Sequence, residues 1–242
     1  MKIEHLDING TKYLLKIFYE SRTNSTASVR RNNIILRMPL SLSREEQWRE
    51  VRRLRTWALQ KIKQNPEKYK PKAAREYKNG EILHVGNEVY TLKIDFKEKQ
   101  SSSARLIENV ISLVISSSLS LEQQQKHVSS LLSRIIARKR ITHLKEKINA
   151  INNSHFHQEI KKIFFKNNKS NWGSCSEHGN INISTRLLFA PDDVLEYVCI
   201  HELAHRIEFN HTEKFWSLVE KAMPAYREKE QWLKENGDKC FF

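Results

Sequence analysis

Residues 201–211 read HELAHRIEFNH, and the fold of the C-terminal part of the chain turns on how they are read. In an α-helix, positions i and i+4 project from one face about a turn apart, so His201 and His205 point the same way and can reach one ion. Glu202 is offset by roughly 100° around the axis. Its carboxylate therefore sits beside such an ion rather than on it, placed to take a proton from a water. Two imidazoles for a zinc ion and a glutamate as general base make up the HExxH arrangement of zinc hydrolases. A catalytic zinc needs a third protein ligand and an open position. His211, ten residues after His201, is the candidate, and Glu208 on a similar face is a lesser rival.

The surrounding residues supply a mount for that site. Pro191 suits a first helical turn, and Asp192 and Asp193 complement its positive end, so the pattern predicts a helix over 191–209. Val194 and Val198 share the histidine face, while Leu195, Cys199, Ile200 and Leu203 cover the other sides, the mark of a core helix. Thr212 is a good N-cap for a following helix, EKFWSLVEKAM. That places His211 in a turn, where Asn210 is expected to take a left-handed backbone.

Upstream, IKKIFFKN (160–167) and NINISTRL (180–187) read as strands, with Gly179 in a tight turn before the second. Residues 120–150 carry a long basic helix. The first half is β-rich: Asn9-Gly10 marks a hairpin turn, NNIILRMP (32–39) is a strand closed by Pro39, and EILHVG, EVYTLKID and ENVISLVIS follow, with a turn at Gly86-Asn87. Between them, a helix begins at Ser43, whose capping box is completed by Glu46. Its expected apolar stripe is Trp48, Val51, Leu54, Trp57 and Ile62. No internal repeat is evident. These readings give an α+β protein in two parts, 1–119 and 120–242.

At 242 residues the chain can bury a proper core. NVISLVISSSLSL (109–121) is too short and too rich in serine to span a bilayer. Three widely spaced cysteines, Cys175, Cys199 and Cys240, form no disulfide framework or CxxC site, which points to the cytoplasm. The net charge of +14 is uneven. Residues 1–150 hold 30 Lys+Arg against 15 Asp+Glu, net +15, and residues 151–242 hold 12 against 13, net −1. A basic half of this kind is a plain solvated surface or a face for nucleic acid, anionic membrane or acidic protein.

From Trp172-Gly173-Ser174-Cys175 through the NIST strand, YVCIHELAH, Asn210-His211 and Phe215-Trp216, the sequence closely resembles the YgjP-like metallopeptidases, relatives of the SprT-like and WLM zincins. The resemblance implies a zincin-like C-terminal domain with a small sheet and the HExxH helix. It implies one zinc held by His201, His205 and His211, with Glu202 catalytic and a peptide or protein substrate. Metzincins share the histidine spacing but have glycine where Glu208 stands. Met223 resembles their Met-turn, although core packing is its simpler role. Tyr226 is a weak candidate for stabilising an oxyanion, while Cys175 and His178 are read as packing and surface residues. A zinc hydrolase of nucleotides or other phosphoanhydrides would use the same water and base, so it stands as the alternative to peptide cleavage, beside a nucleic-acid-associated protein.

Overall fold

A computed structural model describes residues 2–70, 75–168 and 170–242 of the chain. They fall into two compact units, residues 1–73 and 74–242. In the first unit, strands β1 (Lys2–Ile8), β2 (Thr11–Glu20), β3 (Thr26–Arg30) and β4 (Asn33–Pro39) form one sheet of order β1-β2-β4-β3. Both hairpins are antiparallel and the central pair, β2 with β4, is parallel. Asn9 and Gly10 both have positive φ, 53° and 76°, as the expected two-residue hairpin turn requires. Helix α1 (Arg44–Gln64) starts at Ser43 with the complete capping box and is followed by the short helix α2 (Pro66–Tyr69). Tyr13, Leu15, Ile17, Ile34, Leu36 and Met38 bury the inner sheet face against Leu54, Ala58 and Ile62 of α1. The helix face differs from the expected stripe in one respect. Trp48 is 74% exposed and Trp57 38% exposed, because Ala58 rather than Trp57 sits over the sheet.

The second unit opens with β5 (Ile82–Val85), β6 (Glu88–Lys97), β7 (Ser103–Ile107) and β8 (Val110–Ser116), in the order β5-β6-β8-β7. Helix α3 (Leu121–Ile151) then runs for 31 residues, about 46 Å. Its first half buries Val128, Leu131, Leu132 and Ile136 against this sheet. Its second half buries Leu144, Ile148 and Ile151 in a different cluster, with the C-terminal elements. One rigid helix thus belongs to both cores, and the boundary expected near residue 119 lies inside the second unit. The remaining elements are β9 (Lys162–Lys166), β10 (Gly173–Cys175), β11 (Asn180–Ser184), α4 (Asp192–Ala204), α5 (Glu213–Ala222) and α6 (Tyr226–Asn236). Their small sheet has the order β10-β11-β9, with β11 antiparallel to β10 and parallel to β9.

Contrary to the sequence expectation, the chain does contain an internal repeat. Adding 77 to the bounds of β2, β3 and β4 gives those of β6, β7 and β8, and adding 77 to the start of α1 gives the start of α3. The strand order and the registers are the same: Leu14 opposite Asn33 becomes Thr91 opposite Val110. Arg31 and Glu108, first in equivalent turns, share a φ of 52°. Ser43 caps α1 as Ser120 caps α3, and Gln47 and Gln124 each donate a side-chain N–H to the carbonyl five residues back, Leu42 and Leu119. Tyr13, Leu15, Lys16 and Ile17 recur as Tyr90, Leu92, Lys93 and Ile94; Ser41-Leu42-Ser43 recurs as Ser118-Leu119-Ser120. The matches are mostly isolated core positions in short strands, and the period is longer than the 20–50 residues of ordinary repeat arrays. The sequence alone therefore hides it.

Candidate metal centre

Helix α4 is buried on nearly every side, by Val194, Leu195, Tyr197, Val198, Cys199, Ile200, Leu203 and Ala204. Its N-terminus is held by two ion pairs, Asp192 with Lys147 and Asp193 with Lys229, both at 2.8 Å. Those lysines keep both aspartates below the usual carboxylate range, Asp192 against the opposing effect of its own burial. The helix stops at Ala204, five residues before the expected end, with His205 as its C-cap. The chain tightens there: Arg206 N–H donates to the Leu203 carbonyl, Ile207 and Glu208 N–H both donate to the Ala204 carbonyl, and the Arg206 guanidinium holds the carbonyls of Ser176 and Glu177. Asn210 does not take a left-handed backbone. Instead the Glu208 carboxylate accepts its N–H at 3.4 Å within the turn, and Glu208 is not part of the three-histidine group. Thr212 caps α5 as expected, accepting from the Phe215 N–H.

This turn brings His211 back to His201 and His205. The three imidazole centroids lie 4.8 to 5.0 Å apart, and one ligand nitrogen from each falls within 4.8 Å of the others. Nε2 of His201 and Nε2 of His211 are 3.0 Å apart. Ligand nitrogens on one tetrahedral zinc would be about 3.3 Å apart. His205 Nδ1 lies 3.1 Å from the Glu208 carbonyl. As donor to that carbonyl it leaves the lone pair on Nε2, the usual way a protein fixes a ligand tautomer. The donor set thus fits a metal ion. Among the described residues this is the one group of three or more His, Cys, Asp or Glu side chains so arranged.

Phe215, fully buried, lies 4.5 to 4.9 Å from all three imidazole centroids. Trp216 stacks on His211 at 5.7 Å, and Tyr226 stacks behind Trp216 at 5.4 Å. Burial, with His205 and His211 alongside, pushes His201 down to about 3, and burial also lowers His205. Neutral imidazoles are the form that ligates a metal. The sequence quotes Phe215 and Trp216 as a motif without revealing this orienting role, which depends on α5 packing under α4.

Glu202 is 5% exposed, and burial pushes its carboxyl up to about 8. It lies against β10. A Cβ on Gly173 would stand 2.6 Å from a Glu202 carboxylate oxygen, so residue 173 has room only for glycine. His201, Glu202, His205 and His211 all line one cavity of about 630 Å³. Residues 171–175 form one wall and Glu230, Leu233 and Lys234 of α6 another. The Cys175 thiol is on that wall, raised by burial and donating to the Ser176 carbonyl. His178 is exposed and Met223 packs against the core, as expected. Tyr226 is buried between Trp216 and Tyr197, off the cavity wall.

Comparison with known proteins gives the chain's class and family. A family model described as YgjP-like, metallopeptidase domain, matches residues 23–236. The protein is therefore a hydrolase of the metallopeptidase class. It belongs to the YgjP-like family. No curated protein matches the chain significantly. Two solved structures are similar over 38% of it: the metallopeptidase zymogens of Pyrococcus abyssi abylysin (22% identity, 93% of that chain) and of Methanocaldococcus jannaschii jannalysin (23%, 95% of that chain), each with a TM-score of 0.35. No helix of the described residues is long and apolar enough to cross a membrane.

Proposed function

We propose that the chain is a zinc-dependent peptidase in which His201, His205 and His211 hold the ion and Glu202 is the general base. The observation that carries this reading is the meeting of three imidazoles and one buried carboxyl on the wall of a single cavity. A zinc ion in that position supplies Lewis acidity, lowering the pKa of a water and polarising a carbonyl. With a cation bound beside it, which favours its ionised form, Glu202 would accept the water's proton and return it to the leaving amine. Gly173 leaves the space that carboxylate occupies. Strand β10 lines the same cavity, and among the described residues it pairs only with β11, so its other edge can add an extended peptide by main-chain hydrogen bonds.

The cavity wall carries the carboxyls of Glu202 and Glu230 against one ammonium, Lys234, which pairs with Glu230 at 2.9 Å. That balance suits a peptide better than a phosphoanhydride. The reading places every catalytic group within 120–242. Three unpaired thiols support a cytoplasmic location.

The test is metal content by mass spectrometry together with turnover of a peptide library. The chain should carry one zinc, a His201→Ala/His205→Ala variant should carry none, and Glu202→Gln should keep the metal while losing about 10²–10⁴-fold in rate. Undiminished peptide turnover by Glu202→Gln would remove Glu202 as the base.

A further inference from the structure

The repeat shows what the outer face of α1 lacks. In the second copy, the row Gln125, Ser129 and Ser133 along α3 is covered by polypeptide. Gln125 accepts the Tyr77 N–H, Ser129 donates to the Phe242 carbonyl, and Ser133 donates to the Thr185 hydroxyl, each at 2.9 Å. Subtracting 77 gives Trp48, Arg52 and Thr56 of α1, and all three are exposed. With Arg49, Arg53 and Trp57 they surround a shallow depression on the helix surface. Arg53 pairs with Glu50, but Arg49 and Arg52 meet no carboxylate within 4 Å among the described residues. The unit itself is strongly basic, with 17 Lys+Arg against 7 Asp+Glu in residues 1–73, a net charge of +10.

We propose that this face of α1 is an exosite that binds an acidic stretch of a polypeptide substrate, with apolar side chains of that stretch seated on Trp48 and Trp57. The second copy shows that this helix face accepts polypeptide. The exposed guanidinium groups of Arg49, whose electrostatic partner is the neighbouring Glu46, and of Arg52 select carboxylates, to which Arg binds in a bidentate fork. Exposed tryptophan beside arginine is the composition of binding hot spots. The exosite rests on the peptidase reading for its purpose, since it would recruit substrates to be cleaved, but binding itself needs no turnover.

The experiment uses the full chain carrying Glu202→Gln, so that the probe stays intact. A fluorescein-labelled peptide of glutamates and leucines is titrated by anisotropy. Adding Trp48→Ala/Arg52→Glu should weaken binding about tenfold or more. An equal charge change elsewhere, Lys97→Glu, should leave more of the affinity. Arg49→Glu/Arg52→Glu should transfer the preference to a lysine–leucine peptide, a gain that misfolding could not produce. The proposal is overturned if the two charge changes weaken binding equally, if the peptide does not bind, or if oligothymidylate binds this face more tightly than the peptide does. Binding without any hydrolysis by the zinc-loaded parent chain would remove the peptidase reading and keep the face; hydrolysis without binding would remove the face alone.

Discussion

The two copies of the β-sheet-and-helix module share topology, register and capping, yet they bury different kinds of side chain. Among the described residues the first unit buries no polar side chain, whereas the second buries nine, including Glu202. The divergence begins at the end of the helix. After α1 the chain breaks at Asn65 and Pro66, while α3 continues ten residues past the position matching Gln64, which is Ile141, and carries Leu144, Ile148 and Ile151 into the core around α4. A lone module is satisfied by apolar packing alone. The lengthened helix supports a second layer, in which Glu202 is buried on the wall of the candidate cavity at a cost in desolvation.

The sharpest way to break this comparison is to make the same cavity in both copies. Leu15→Ala and Leu92→Ala remove equivalent, fully buried side chains. Each should cost about 2–5 kcal/mol in denaturant unfolding of its own unit. Only Leu92→Ala should also lower peptide turnover, since its core includes the first half of α3, whose second half packs in the core around α4. Equal losses of turnover would mean that the first copy supports catalysis directly.

A smaller effect separates the units by pH. Glu202 in the folded, metal-free chain titrates at about 8, against an ordinary value of 4.5. The folded state therefore keeps a proton that the unfolded chain has released, and stability falls as pH rises from about 4.5 to about 8. Metal-free Glu202→Gln escapes that loss and should be more stable than the parent above pH 8, by up to a few kcal/mol. The advantage should shrink towards pH 5. Melting curves of the second unit across this range report it, and a pH-independent difference would remove burial of the charge as its cause.

The smallest difference lies at the caps. Ser43→Ala and Ser120→Ala remove the same N-cap hydrogen bond from α1 and α3. Each should cost about 1 kcal/mol. Native-state hydrogen exchange should show fraying confined to the first turn of the altered helix in both cases, and fraying that spreads along α3 but not α1 would show that the longer helix depends on its start.

Read along the chain, local chemistry determined a good deal. The i, i+4 spacing aligned His201 with His205, alternation marked β2, β4, β6 and β8, Asn9-Gly10 made its hairpin, and Ser43 and Thr212 opened their helices. Each of these depends on neighbours within a few residues, where backbone geometry alone decides. Short β3 and β7 carried too little pattern to be recognised. Tertiary structure alone decided the early end of α4, where Glu208 rather than a left-handed Asn210 makes the turn. It also decided the outward direction of Trp48 and Trp57, the approach of Glu202 to Gly173, and the aromatic floor of Phe215. Those features arise where segments far apart in sequence compete for one volume. Packing at that distance leaves no periodic trace in the residues that take part.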